Sequence, residues 1–275
     1  MPELPEVETI RRQLESELVG VGFERSWSHP SAKFIAARDV DGAVVEAVDR
    51  RGKYLLIGLA DDRELVVHLG MTGQLRFEND RGSGSGDSEV LVEDPYVRAW
   101  WQCDDGRRLL FRDVRRFGRL AVVDAGEYGG IATLAAMGPE PFDSNLDGRA
   151  FHARLRKSRQ QLKTQLLSQR PIAGVGNIYA DEALFLAGIN PVVRTLSLER
   201  SERLLSALRE VLTGAIERGG TTLRDYRNLS GEGQNQHHLV CYGRAGQECL
   251  QCGQELRGRV IDARSTTWCP HCQAR

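Results

Sequence analysis

The chain has 275 residues, 41% hydrophobic and 27% charged, with a formal net charge of -1 at pH 7, and this composition excludes wholesale disorder. Its length predicts about two domains. The longest stretch without Asp, Glu, Lys or Arg, residues 128–139, is far shorter than the roughly 20 apolar residues of a membrane-spanning helix, so we predict no transmembrane segment.

The N-terminal residues predict a helix and no secretory signal. The opening sequence MPELPE lacks the basic start and the apolar run of a signal peptide, so a cytoplasmic protein is expected. Apolar residues then recur at helical spacing, at Val7, Ile10, Leu14 and Leu18. Because Pro5 suits a first helical turn and Gly20 suits a stop, the pattern predicts an amphipathic helix over residues 5–19.

Short apolar runs separated by Gly and Asp turns follow this helix, and they predict antiparallel strands. The predicted strands are residues 44–48, 54–59, 64–68, 99–103, 108–111 and 119–123. Several such strands in succession predict a sandwich or a barrel. Residues 81–87, RGSGSGD, have the composition of a flexible linker and predict a surface loop.

The second half of the chain has helical patterning and a different charge. Helices are predicted over residues 148–158, 160–169, 178–187, 197–218 and 221–228. Residues 149–275 carry 19 Lys+Arg and 11 Asp+Glu, whereas residues 1–148 carry 18 and 27. The basic half is therefore the expected face for a polyanion.

Four of the six cysteines form two Cys-x-x-Cys pairs separated by 16 residues: Cys249, Cys252, Cys269 and Cys272. This spacing is typical of a four-cysteine ribbon around one structural zinc ion, and a redox pair is the alternative. Because four sulfurs complete a tetrahedral shell, the metal has no open position for catalysis. His271 is then expected to be exposed, and no role is assigned to Cys103 and Cys241.

The N-terminus offers an amine suited to covalent chemistry. Removal of Met1 would expose the secondary amine of Pro2, and an α-amino group titrates near ~8, far below a lysine. Such an amine can attack a sugar C1′ and form an iminium, with Glu3 and Glu6 as proton carriers. The alternative is that Met-Pro is merely a chain start and that the glutamates favour a first helical turn.

Six motifs, spread over nearly the whole chain, resemble those of the bacterial formamidopyrimidine-DNA glycosylases. In chain order they are PELPEVET at residues 2–9, HLGMTG at 68–73, RRFG at 115–118, GVGNIYADE at 174–182, GGTTL at 219–223 and the cysteine ribbon. That family excises 8-oxoguanine and ring-opened purines. The resemblance implies a bifunctional DNA glycosylase and abasic-site lyase that forms a Schiff base and cleaves the strand by β,δ-elimination.

The resemblance also implies a multidomain α+β fold. An antiparallel β-sandwich with an N-terminal helix would span residues 1–137, a helical helix–two-turns–helix domain 138–240 and a zinc ribbon 241–275. The implied partner is double-stranded DNA containing damaged bases or abasic sites, with one zinc ion per chain and no membrane. We expect a nucleoid-associated monomer.

Residues that match the family motifs acquire implied roles in catalysis. Pro2 would be the nucleophile and Glu3 the proton carrier. Lys53 would bind phosphate near the active site, although by itself it would be predicted as a surface charge in a hairpin. His68 would contact DNA.

Extrusion of a damaged nucleotide leaves a gap in the base stack, and three residues resemble the set that fills it. Met71 would be a flexible apolar plug, Phe117 a wedge and Arg115 a probe of the orphaned partner base. Without the resemblance, Met71 and Phe117 would be predicted in the core.

The second half supplies further implied DNA contacts. Asn177 follows two glycines that allow close backbone approach, and it would bind phosphate together with a helix N-terminus. Lys163 would lie near the damaged base, where a solvated helix lysine is the alternative. Arg264 in the ribbon would bind a phosphate beside the lesion, and Glu182 would orient the site.

One segment departs from the family pattern. Residues 228–239 lack the Pro-Gly and the aromatic residue of a loop that usually closes over the flipped base, so the lesion preference is implied less firmly than the chemistry. Two alternatives remain. An endonuclease VIII-like enzyme for oxidised pyrimidines is disfavoured by the PELPEV and RRFG motifs, and a non-catalytic zinc-ribbon binder of nucleic acid would need no free Pro2.

Overall fold

The computed structural model describes residues 1–79, 94–223 and 226–274. The chain divides into two compact units. Unit 1 comprises Met1–Pro2, Glu6–Ala132 and Thr222–Gly233, and unit 2 comprises Glu3–Pro5, Thr133–Thr221 and Gln234–Arg275. The domain limits predicted above stay a prediction, and the predicted linker at residues 81–87 lies outside the described residues.

The strands of unit 1 are β1 (Phe23–Ser28), β2 (Val45–Arg51), β3 (Tyr54–Leu59), β4 (Arg63–His68), β5 (Gly73–Asn79), β6 (Val97–Cys103), β7 (Arg107–Asp113) and β8 (Arg119–Asp124). They form two four-stranded antiparallel sheets, with strand orders β1-β6-β7-β5 and β2-β3-β4-β8. Side chains of both sheets, among them Leu55, Val67, Trp101 and Phe111, share one core. The N-terminal β-sandwich is therefore confirmed.

Helix α1, Leu4–Leu18, adds its apolar face to the same core. Val7, Ile10, Leu14 and Leu18 have 0% exposed surface, as their spacing predicted. Burial of each contributes about 1.5–3 kcal/mol. Strands β1 and β5 escaped prediction because their sequences, FERSWS and GQLRFEN, contain no run of apolar residues, although Leu75 and Phe77 of β5 do alternate with polar residues. Their pairing with β6 and β7 decides their conformation.

Unit 2 is helical around its own core. After the short α2 (Ala132–Ala135), the helices are α3 (Gly148–Leu155), α4 (Leu162–Leu167), α5 (Asn177–Leu186) and α6 (Leu198–Glu217). Asp147 caps α3 and Ser197 caps α6, each accepting a backbone N–H with its side chain. None of the helices in the described ranges combines the length and apolarity needed to cross a bilayer.

The helix predicted over residues 221–228 is wrong for the part of that segment that the structure describes. Gly219 and Gly220 have positive φ values, 72° and 84°, and end α6. The Thr221 hydroxyl then bonds to the Tyr179 hydroxyl at 2.9 Å and accepts the Asn235 side-chain amide at 2.8 Å. Such side-chain bonds compete with a helix.

Unit 2 ends in an antiparallel hairpin of β9 (Arg257–Ile261) and β10 (Arg264–Trp268). The two turn residues, Asp262 and Ala263, have φ values of 46° and 58°, as a two-residue type I′ turn requires. Phe185 of α5 packs with Leu256 and the buried ribbon cysteines in a small separate core. The zinc ribbon is therefore confirmed as part of the fold.

Candidate functional site

The four paired cysteines converge at the end of unit 2. Their sulfur atoms lie within 4.8 Å of one another, with Cys252 and Cys269 3.5 Å apart and Cys249 and Cys272 3.9 Å apart. Four Zn–S bonds of about 2.3 Å in a tetrahedron place the sulfurs about 3.8 Å apart. The geometry and the soft donor set therefore fit one structural zinc ion.

The remaining cysteines and His271 behave as the sequence predicted. His271 is exposed. Burial raises the pKa of the Cys103 thiol to about 11 and also raises the pKa of Cys241, whose thiol donates to the Thr267 carbonyl at 3.1 Å. Both thiols stay protonated at neutral pH and are therefore unreactive.

A buried ion pair fixes the ribbon hairpin to the helices. The side chains of Lys163 in α4 and Asp181 in α5 are 0% and 1% exposed, and Lys163 Nζ lies 2.6 Å from Asp181 Oδ1. Lys163 also donates to Ser265 O at 2.8 Å and to Thr266 Oγ1 at 3.0 Å, while Asp181 accepts the Thr267 N–H at 3.0 Å. Burial lowers the pKa of Lys163 and raises that of Asp181, and each charge opposes the shift of the other.

This ion pair holds the hairpin that presents Arg264. Arg264 is exposed at the start of β10, directly after the turn, and the Thr164 hydroxyl donates to the carboxylate of Asp262 in that turn. The alternative of a solvated Lys163 is wrong, because the side chain is fully buried. Contact between Lys163 and a damaged base stays a prediction and would require Lys163 to leave the ion pair.

Replacement of Lys163 with alanine is expected to destabilise the protein by about 3–5 kcal/mol, because Asp181 would remain as an uncompensated buried charge. Urea unfolding measures the loss. The double variant Lys163→Met with Asp181→Asn should recover most of it, since Asn keeps an acceptor for Thr267. Lys157→Ala, at an exposed position, is the control. A Lys163→Ala protein as stable as the parent would show that the ion pair does not stabilise the hairpin.

Glu3 is built into the N-terminus of α5. Its side chain is only 2% exposed, and its carboxylate accepts the backbone N–H groups of Ile178 at 2.9 Å and Tyr179 at 3.4 Å. A helix start leaves such groups unpaired, and a carboxylate complements the helix dipole there. The sequence predicted phosphate at this terminus, but these two N–H groups bind Glu3.

Two glycines before α5 make room for the N-terminal residues of the chain. The Leu4 N–H donates to Gly174 O at 3.0 Å, and a Cβ at Gly174, whose φ is +79°, would lie 2.5 Å from the Leu4 side chain. A Cβ at Gly176 would lie 2.2 Å from the Glu3 carboxyl carbon. The glycines therefore leave room for the side chains of Glu3 and Leu4, and close approach of DNA phosphate to this turn stays a prediction.

Asn177 and Glu182 link α5 to the ribbon in different ways. The Asn177 side-chain amide donates to Ser265 Oγ at 3.3 Å, whereas its Oδ1 has no hydrogen-bond partner among the described residues. The Glu182 carboxylate accepts the N–H groups of three successive residues, 240–242, at 2.7–3.0 Å. Glu182 thus fixes the segment that enters the ribbon, which the sequence had not indicated.

Lys53 follows the β2–β3 turn of unit 1. Gly52, in that turn, has a φ of 56°, and Lys53 is only 7% exposed. The expectation of a surface hairpin charge is therefore wrong. Tyr54, the next residue, pairs with His68 across β3 and β4, which places Lys53 and His68 at the same end of these strands.

His68 is neutral at physiological pH. Burial lowers its pKa to about 4, and the nearby positive charges of Lys53 and Arg119 act in the same direction. Its Nδ1 accepts the Gly70 N–H at 3.2 Å. The single ring proton therefore sits on Nε2, which is a donor suited to a phosphate oxygen.

Met71, Arg115 and Phe117 lie on two loops of unit 1 that pack against each other. Met71 is 37% exposed and Phe117 50%, so the core positions expected without the resemblance are wrong for both. The Arg115 guanidinium carbon lies 4.9 Å from the centre of the Phe117 ring. A Cβ at Gly70 would lie 2.4 Å from the Phe117 carbonyl carbon, which shows how closely the loops approach.

Two buried carboxylates, Asp113 in unit 1 and Asp181 in unit 2, were missed from the sequence. Asp181 and Asp113 are 1% and 0% exposed, and both bond to backbone and side-chain groups of other segments. Asp181 directly follows Tyr179 and Ala180, and Asp113 lies two positions after the apolar run at residues 109–111. An acidic residue so close to apolar residues is a weak indication of a buried hydrogen-bonding centre. Their partners could not be identified from that indication.

Three family models match the chain in order. The model described as Formamidopyrimidine-DNA glycosylase N-terminal domain matches residues 1–120, and that described as Formamidopyrimidine-DNA glycosylase H2TH domain matches residues 137–227. The model described as Zinc finger found in FPG and IleRS matches residues 246–275. Together the three matches cover most of the chain.

Relatives and solved structures agree with these matches. The formamidopyrimidine-DNA glycosylase of Deinococcus radiodurans is 41% identical to this chain, and the match covers 99% of this chain and 97% of the relative. That of Thermus thermophilus is 43% identical, and the match covers 99% of this chain and 98% of the relative. The crystal structure of MutM (Fpg) from Thermus thermophilus gives a TM-score of 0.90 at 43% identity, covering 100% of this chain and 99% of that one. A Lactococcus lactis Fpg mutant in complex with Fapy-dG-containing DNA gives 0.88 at 32% identity, covering 100% of both chains.

Proposed function

The chain belongs to the formamidopyrimidine-DNA glycosylase family, and from this premise we propose how its own residues carry out the reaction. The protein is a DNA glycosylase and abasic-site lyase that removes oxidised purines from duplex DNA. The endonuclease VIII-like and non-catalytic alternatives are not favoured by any observation. Because the substrate is chromosomal DNA, we place the protein at the nucleoid.

Pro2, once Met1 is removed, is the nucleophile. Its secondary amine attacks C1′ of the damaged nucleotide as the glycosidic bond to the base breaks, and the departing base takes up a proton. The C1′–O4′ bond then opens with a proton delivered to O4′, which leaves an iminium at C1′. Loss of a C2′ proton passes its electron pair to the iminium, and the resulting enamine expels the 3′-phosphate; loss of a C4′ proton then expels the 5′-phosphate in the same way. Glu3, the next residue, carries protons to and from the sugar. This assignment rests on one observation: Glu3 is buried, and two N–H groups of α5 hold its carboxylate in place. A proton carrier needs such a fixed position.

Each unit carries residues suited to binding the DNA backbone. Lys53 and the Nε2–H of His68 contribute a positive charge and a neutral donor, and Asn177 contributes its side-chain amide. Arg264, exposed on the zinc hairpin, pairs with a phosphate beside the lesion. Zinc, when bound, supplies the folded scaffold of that hairpin and no chemistry at the sugar.

Met71 and Phe117 fill the gap left by the extruded nucleotide, and Arg115 contacts the orphaned partner base. These roles are supported by the exposure of two large apolar side chains and by the guanidinium beside the Phe117 ring. Exposed apolar side chains of this kind are suited to insertion between base steps. Arg115 can donate to the acceptor edge of cytosine, whereas adenine presents a donor at the corresponding position.

Replacement of Arg115 with alanine should remove the preference for cytosine over adenine opposite 8-oxoguanine. A good base contact discriminates by roughly 1–3 kcal/mol, so the ratio of single-turnover excision rates should fall by about fivefold or more. Arg63→Ala, at the opposite end of β4 from His68, is the control. An unchanged ratio in Arg115→Ala would assign partner-base recognition to another residue.

The reaction class is tested by borohydride reduction on duplex DNA containing 8-oxoguanine opposite cytosine. A covalent protein–DNA adduct together with strand cleavage is expected, because reduction traps the iminium. Binding without any adduct or cleavage would contradict the proposed mechanism.

A further inference from the structure

Asp113, the last residue of β7, is the common attachment point of the two loops that carry Met71, Arg115 and Phe117. Its side chain is 0% exposed. The Thr72 hydroxyl donates to Asp113 Oδ1 at 2.5 Å, and the Gly118 N–H donates to Asp113 Oδ2 at 2.7 Å. One carboxylate therefore holds the loop before β5 and the loop before β8.

Thr72 extends this attachment to Arg115 itself. While its hydroxyl donates to Asp113, its Oγ1 accepts the backbone N–H of Arg115 at 3.0 Å. Thr72 is only 5% exposed, so no water competes strongly for the hydroxyl. The backbone of Arg115 thus has a fixed position relative to Met71, the neighbour of Thr72.

The backbone of Asp113 is held as well. Its carbonyl accepts Arg98 Nε at 2.9 Å, and its N–H donates to Tyr96 O at 2.9 Å. Arg98 is 4% exposed and also donates to Pro95 O at 2.9 Å. Asp113 therefore cannot shift without breaking bonds to β6 as well as to both loops.

We propose that Thr72 and Asp113 are positioning residues that determine partner-base selectivity by fixing the direction in which Arg115 leaves the surface. This inference rests on the role proposed for Arg115. A guanidinium distinguishes base edges only when its donors are aimed correctly, so a loop free to move would retain the charge of Arg115 and lose its discrimination. Neither residue needs to touch DNA.

The test compares two changes at position 72. Thr72→Val removes the hydroxyl and leaves the shape, and Thr72→Ser keeps the hydroxyl. Single-turnover excision of 8-oxoguanine opposite cytosine and opposite adenine gives the selectivity ratio. Borohydride trapping on an abasic site in single-stranded DNA, which has no partner base, reports the intact nucleophile. Asp105→Asn, in the turn that precedes β7, is the matched control for a change of Asp113→Asn.

The selectivity ratio for cytosine over adenine is expected to fall by at least about fivefold in Thr72→Val and in Asp113→Asn, as it should in Arg115→Ala. Trapping on the single-stranded abasic site should not change in Thr72→Val or Asp113→Asn. Thr72→Ser should restore the parent ratio, and Asp105→Asn should not alter it. If the cytosine-over-adenine selectivity ratio falls in Arg115→Ala but keeps its parental value in Thr72→Val and Asp113→Asn, this inference is overturned and the proposed role of Arg115 stands. An unchanged ratio in Arg115→Ala would overturn the role of Arg115 and the inference with it. If Thr72→Val fails to fold, as trapping would reveal, Asp113→Asn carries the decision.

Discussion

Replacement of Pro2 with glycine is expected to lower the yield of borohydride-trapped adduct by about 100-fold or more. Glycine leaves a primary amine on a flexible backbone, so the nucleophile loses both its ring geometry and its fixed direction toward C1′. A variant that retains one additional residue before Pro2 should give no adduct, because an amide nitrogen is not nucleophilic. Gel analysis of trapped complexes with duplex DNA containing 8-oxoguanine measures both effects.

The control for this change is Pro30→Gly, since Pro30 is an exposed proline elsewhere in unit 1. It should trap DNA as the parent does. An undiminished adduct in Pro2→Gly or in the extended variant would move the nucleophile to a lysine. Lys53 is the first to test, because it is a largely buried lysine beside His68.

Replacement of Cys269 with serine is expected to remove the zinc ion and lesion-DNA binding together. Metal binding supplies about 10–16 kcal/mol of folding free energy in small zinc modules, so the β9–β10 hairpin would not keep its structure without it. Arg264 would then lose its position. Metal analysis should fall from one zinc per chain to none, and titration with a duplex containing a non-cleavable abasic-site analogue should show weakened binding.

Cys241→Ser is the matched control, because Cys241 lies in the same small core but outside the four-sulfur cluster. Its thiol donates to Thr267 O, a bond that a serine hydroxyl can also make. Zinc content and DNA binding should be retained. Full DNA affinity in a metal-free Cys269→Ser protein would show that Arg264 does not depend on the zinc scaffold.

The family motifs drew attention to residues that the structure shows to be constrained, but they did not predict which groups these residues contact. Asn177, Glu182 and the two glycines before them were identified from the sequence GVGNIYADE. Yet Gly176 admits Glu3, and Glu182 binds the segment at residues 240–242. A motif indicates that a position accepts only certain residue types. Only the folded chain shows which neighbouring group causes that restriction.

Short stretches of sequence were sufficient to predict several features of this protein. The spacing of Val7, Ile10, Leu14 and Leu18 determined α1, and the two Cys-x-x-Cys pairs determined the zinc site. Six strands followed from short apolar runs separated by turn residues. These features are local because a helix face, a strand face and a metal knuckle each depend on residues only a few positions apart.

The tertiary structure alone decided which polar groups are buried together. Glu3 bonds to Ile178 across 175 positions, Thr72 to Asp113 across 41 and Lys163 to Thr266 across 103. Lys163 and Lys53 look like surface charges in the sequence because a lysine is almost always solvated, and only a specific partner or site makes its burial tolerable. No periodicity encodes such partners, since they meet only after separate elements have packed. The sequence therefore determined most of the elements, the metal and the family, and the packing determined how Glu3, Arg115 and Arg264 are held.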